Sequence, residues 1–161
     1  AHGILIITPV NWFYASSSLK LMMDRLVCAD GGNPDPTSTH GKDALAAKKI
    51  ELAGWSYPRH LESRLFGCVV HGDAEGAVAT RRALCDWMSA MKLVPAAPEA
   101  ALDRYIGYWK PYAISHDELD ADEAVQEEVR NVARTLLEGI ELARAGKGFR
   151  LRRDLPPPRD K

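Results

Sequence analysis

The run Gly3-Ile4-Leu5-Ile6-Ile7 and the turn after it, Thr8-Pro9-Val10-Asn11-Trp12-Phe13-Tyr14, decide how this chain is read. The first run is continuously apolar and rich in β-branched side chains, the pattern of a strand buried on both faces of a parallel sheet. After the turn come Ser16, Ser17 and Ser18, good helix N-caps, and then Leu19, Met22, Met23 and Leu26 at i, i+3, i+4 and i+7. The order is strand, aromatic turn, helix. Ligands of open α/β sheets bind just beyond the carboxyl ends of the strands, where this turn is expected to sit. Large rings there are costly to leave in water unless something flat packs against them.

The same grammar recurs further along. Leu65-Phe66-Gly67-Cys68-Val69-Val70 reads as a second buried strand, ending in His71-Gly72-Asp73-Ala74-Glu75-Gly76. A helix with Leu84, Trp87, Met88 and Met91 on one face follows it. A short, proline-interrupted strand is expected around Leu93-Val94-Pro95-Ala96. The last helix is expected to start at an Asp120 cap with Glu123 three residues on. Val125, Val129, Val132, Leu136 and Ile140 form its apolar stripe, and Gly146 and Gly148 close it. Asp73 reads as a helix N-cap and Glu75 as a first-turn acid.

Thr8-Pro9-Val10-Asn11-Trp12, with Ser18-Leu19-Lys20 and Asp24-Arg25 behind it, resembles the third-strand loop and helix of the flavodoxin-like NADPH-dependent FMN reductase and NAD(P)H:quinone oxidoreductase superfamily. The resemblance implies an α/β fold: a flavodoxin-like open parallel sheet with helices on both faces. It implies FMN as cofactor and NAD(P)H as co-substrate, with a quinone or free flavin as the small-molecule electron acceptor. The ring-holding residues it implies are Thr8, Pro9, Val10, Asn11, Trp12 and Phe13, joined by Gly72, Asp73 and Gly76 after the second strand. Asp73 and Glu75 depart from the glycine-rich version of that second loop. In the strand order 2-1-3-4-5 the flavin sits between strands 1 and 3. Matched to it, this chain opens at strand 3, so the first two strands and the phosphate loop are expected in a front part absent from this sequence. Residues 1–146 are then the C-terminal part of one flavodoxin-like domain. Within them, residues 29–64 form a long insertion, and residues 147–161 are an extended, basic, proline-rich tail.

Composition narrows the function. The 161 residues carry 21 basic and 22 acidic side chains, a formal net charge of −1, which gives no electrostatic case for nucleic acid or an anionic membrane. No apolar stretch reaches the ~20 residues of a membrane span, and no signal peptide is recognisable, so a cytoplasmic protein is expected. Cys28, Cys68 and Cys85 lie in three different elements and read as separate free thiols. His2, His40, His60 and His116 lack metal-ligand spacing, so no metal site is expected. Ser16 to Ser18 lack the glycines of a nucleophile elbow. His71, at a strand end, is the candidate proton donor to a reduced quinone, against a purely structural role. Asp24 and Arg25 read as a charged helix face. The aromatics Trp55, Tyr57, Tyr105, Tyr108, Trp109 and Tyr112 fall in irregular segments, and a homodimer or homotetramer is expected from them. Two other functions share the fold: a flavodoxin-type electron carrier and a flavin-free interaction domain.

Overall fold

The computed structural model describes residues 2–30, 43–53, 60–107, 111–114 and 116–147. Two parallel strands form its centre, β1 (Gly3–Asn11) and β3 (Leu65–Gly72). They pair in register from Gly3 opposite Leu65 to Pro9 opposite His71. A two-residue strand, β2 (Tyr14–Ala15), folds back antiparallel on the end of β1. On the far side of β3 lie β4 (Val94–Pro95) and β5 (Ala101–Tyr105), both parallel to it. The order β1-β3-β5 matches strands 3-4-5 of the flavodoxin-like arrangement. The fold is α/β, with a mainly parallel open sheet.

Helices cover both faces. On one, Ile6, Val10, Phe66, Cys68 and Val70 pack with Leu84 and Met88 of α3 (Ala77–Ala90), and Leu19 and Met23 of α1 (Ser17–Asp30) join them. On the other, Leu5, Leu65, Ala96 and Ala100 meet Leu136 and Ile140 of α5 (Glu123–Arg144). The N-cap of α1 is Ser16, whose hydroxyl accepts from the Leu19 amide at 3.3 Å. The left-handed Gly146 closes α5, as its position in the sequence suggests. A further helix, α2 (Ala44–Leu52), lies between α1 and β3 in the chain.

Several expectations need correction. Among the described strands, only β3 is buried on both faces. In β1 the face bearing Ile6, Thr8 and Val10 is buried, while Ile7 is 56% exposed, although its register partner Val69 is 2% exposed. The reason is position: among the described residues, β1 has a strand neighbour on its outer side only at Val10 and Asn11. β5 begins at Ala101 and takes in Tyr105, which was expected in an irregular segment. Between β4 and β5 a turn of 3-10 helix (Pro98–Ala100) loops out opposite Gly67, where a β-carbon would lie 2.9 Å from the Ala100 carbonyl oxygen. The final helix is capped by Asp122, whose carboxylate accepts from the Val125 amide at 3.1 Å. Asp120 instead lies inside a preceding short helix, α4 (His116–Ala121). The cysteines are not all separate: Cys68 of β3 and Cys85 of α3 have their sulfurs 3.6 Å apart. Trp55, Tyr57, Tyr108, Trp109, Gly148 and the tail from 148 onward lie outside the described residues.

Candidate functional site

The turn that opened the sequence reading is a hairpin tip. Asn11 faces Tyr14 across a two-residue loop, Trp12-Phe13, and both loop residues have positive φ, 43° and 68°. This is the sign pattern of a type I′ turn, which favours Asn and Gly because a β-carbon is crowded there. Holding non-glycine residues in this region costs about 1–3 kcal/mol each, and such strain collects at functional sites. The surroundings fix the turn. The Phe13 amide donates to the Glu75 carbonyl at 2.9 Å, and Gly76 lies against the Phe13 backbone. The rings themselves face outward: Trp12 is 74% and Tyr14 76% exposed.

The second half of the predicted site lies alongside. His71 pairs with Pro9 at the carboxyl ends of β3 and β1, and its Nδ1 is buried with no hydrogen-bond partner among the described residues. Gly72 packs on Val10. Asp73 and Glu75 are exposed. Neither plays the helical role expected of it, because the N-cap of α3 is Gly76, at φ 102°, with no side-chain hydrogen bond, and the first turn holds no acid.

Strand alternation splits the predicted ring-holding residues. Thr8 and Val10 point into the core, and the Thr8 hydroxyl donates to the Pro9 carbonyl at 3.0 Å. These two support the hairpin from beneath. Pro9, Asn11, Trp12, Phe13 and Asp73 are exposed, and Gly76 is half-buried beside Phe13.

A cavity of about 880 Å³ that the sequence motifs do not announce lies on the helix side of the hairpin. Trp12, Phe13 and Tyr14 form one wall; Met23 of α1 with Thr80 and Leu84 of α3 form the others. The Thr80 hydroxyl is buried there and, among the described residues, has no hydrogen-bond partner. A lone hydroxyl on the otherwise apolar stripe Ala77, Thr80, Leu84, Met88 was the available signal. The cavity shares Trp12 and Phe13 with the strand-end position but not Pro9, Gly72, Asp73 or Gly76. The hairpin thus separates this cavity from the strand-end loops. Among the described residues no group of His, Cys, Asp or Glu could hold a metal ion, and no helix is long and apolar enough to cross a membrane.

Fold and site together define an open α/β protein with a flavodoxin-like strand order and an aromatic hairpin at the carboxyl ends of its parallel strands. No protein-family model and no curated protein matches the chain. A solved structure described as a flavone reductase is similar over 91% of this chain and 43% of its own length, at a TM-score of 0.39 and 19% identity. The chain therefore spans less than half of that structure.

Proposed function

We propose that this chain forms the ring-facing part of an FMN-dependent NAD(P)H oxidoreductase that reduces quinones or free flavin. The observation that carries the reading is Trp12-Phe13: two large aromatic residues, in strained backbone, presented to solvent at the carboxyl end of a parallel strand. A fold has little reason to bear that cost for its own sake, and a flat ligand recovers it by covering the rings. The residues fit such a group on a second count, since His71 Nδ1, without a hydrogen-bond partner among the described residues, lies at the neighbouring strand end.

FMN supplies the hydride chemistry when bound. Pro9, Asn11, Trp12 and Phe13 on one loop, with Gly72, Asp73 and Gly76 on the other, are the residues that would hold its ring. Asn11 brings both donor and acceptor atoms. The Phe13 to Glu75 hydrogen bond keeps the two loops at fixed separation. His71 brings an imidazole to the same strand end, beside Pro9.

Titration of the intact gene product with FMN, followed by NAD(P)H oxidation in the presence of a quinone, tests the reading. Flavin binding with quinone-dependent NAD(P)H consumption is expected. Flavin binding without turnover would favour an electron carrier, a reading that the openness of the hairpin supports. No flavin binding would leave an interaction domain on the same fold.

A further inference from the structure

We propose that Cys68 and Cys85 are a redox-active dithiol that hydroperoxides oxidise to an intramolecular disulfide joining β3 to α3. The inference stands apart from the flavin reading, because neither cysteine lines the hairpin cavity or the strand-end loops.

The geometry is the first support. The sulfurs are 3.6 Å apart, and a disulfide needs them at about 2.05 Å, so a small side-chain adjustment closes the bond. The two residues belong to elements already packed together in one core, so no chain segment has to travel.

The second support is asymmetry. Cys68 is fully buried, while Cys85 is half-buried and so the more accessible of the two. Arg81, one helical turn before Cys85, is the nearby cation; it also pairs with Asp103 of β5. The hydrogen bond from Cys68, aided by the Arg81 charge and opposed by burial and by Asp86, holds the Cys85 thiol below its ordinary range. The same hydrogen bond and the burial hold the Cys68 thiol well above it. Partial exposure and the Arg81 charge make Cys85 the attacking thiol, and the buried Cys68 the resolving one.

The steps balance. The Cys85 thiolate attacks one peroxide oxygen; the O–O bond breaks, Cys85 becomes a sulfenic acid, and hydroxide leaves. The Cys68 thiol proton neutralises that hydroxide to water. The Cys68 sulfur then attacks the sulfenic sulfur, forming the S–S bond and expelling a second hydroxide, which takes a proton from solvent. With the proton first lost from Cys85 counted, two thiols and one hydrogen peroxide give one disulfide and two waters. A thiol reductant reverses the change by exchange.

The test is mild hydrogen peroxide treatment of the intact gene product, then alkylation in denaturant and peptide mass analysis. The expected result is loss of two of the three alkylatable thiols within residues 1–161, a peptide linking Cys68 to Cys85, and full recovery with dithiothreitol. In Cys68→Ser, Cys85 is expected to accumulate as a dimedone-reactive sulfenic acid. Cys85 driven to sulfinic acid in the parent protein while Cys68 remains alkylatable would overturn the proposal. So would thiols that stay unreacted, or a linkage formed only through Cys28.

Discussion

Gly76 is pressed against Phe13: a β-carbon on Gly76 would lie 2.3 Å from the Phe13 Cα and 2.7 Å from its amide nitrogen. With the Phe13 amide donating to the Glu75 carbonyl, this contact welds the hairpin tip to the loop that starts α3. The conflict involves backbone atoms, so no rotamer change relieves it. Gly76 also has φ 102°, outside the comfortable range of other residues. Gly76→Ala should therefore lower stability by roughly 2–4 kcal/mol, combining strain and overpacking. Urea unfolding measures it, and a loss below about 0.5 kcal/mol would mean the two loops are not joined this way.

The aromatic turn should be a burden on folding. Replacing Trp12-Phe13 by Asn-Gly, through Trp12→Asn and Phe13→Gly together, gives the pair that type I′ hairpins prefer. The double variant is expected to be more stable than the parent by about 1–2 kcal/mol, since positive φ is easily borne by these residues. It is also expected to lose flavin binding. Lower stability would show that the rings support the fold.

The neighbouring pair Ile7 and Val69 checks the exposure of β1. Val69→Ala should cost about 2 kcal/mol, as for other buried aliphatic truncations, because Val69 is 2% exposed. Ile7→Ala should stay within about 0.5 kcal/mol in the described chain, because its side chain is largely in water. Equal costs would mean that this edge is covered in solution. Homodimer or homotetramer formation remains a proposal for that cover and for the exposed Leu21 and Val27 of α1; sedimentation at micromolar concentration measures it.

Much of this architecture was legible where one physical signal dominated. The apolar runs at 3–7 and 65–70 gave the parallel pair, and the stripe through Val132 and Leu136 gave α5. β5 was hidden because its charges, Asp103 and Arg104, look like loop residues until their partners Arg81 and Glu128 are seen. The hairpin was hidden because its turn lacks the Asn or Gly that normally announces one. The Cys68–Cys85 contact was hidden by 17 residues of separation; it depends on how α3 lies on β3. At the site, the position of the aromatic turn was readable, but the alternation that buries Thr8 and Val10 required knowing that β1 runs on to Asn11.

Arg104 of β5 forms a forked hydrogen-bonded ion pair with Glu128 of α5. That pairing, against a small desolvation cost, holds the Glu128 carboxyl below its ordinary range. A depressed acid stabilises the fold above its unfolded-state pKa and loses that contribution as pH falls through the folded-state value. The melting temperature of the parent should therefore exceed that of Glu128→Gln at neutral pH, by a small margin as befits an exposed pair. The two curves should converge as pH drops below about 4. A constant difference across that range would remove the ion pair from the stability of the α5 face.

The most direct measurement is FMN titration and thermal melting on the same variant, Trp12→Ala, in the intact gene product. The side chain is 74% exposed, so melting should barely move. If the flavin ring covers it, affinity should fall about tenfold or more, since 1.4 kcal/mol is one decade. Unchanged FMN affinity, whatever happens to stability, would contradict the placement of flavin at this hairpin.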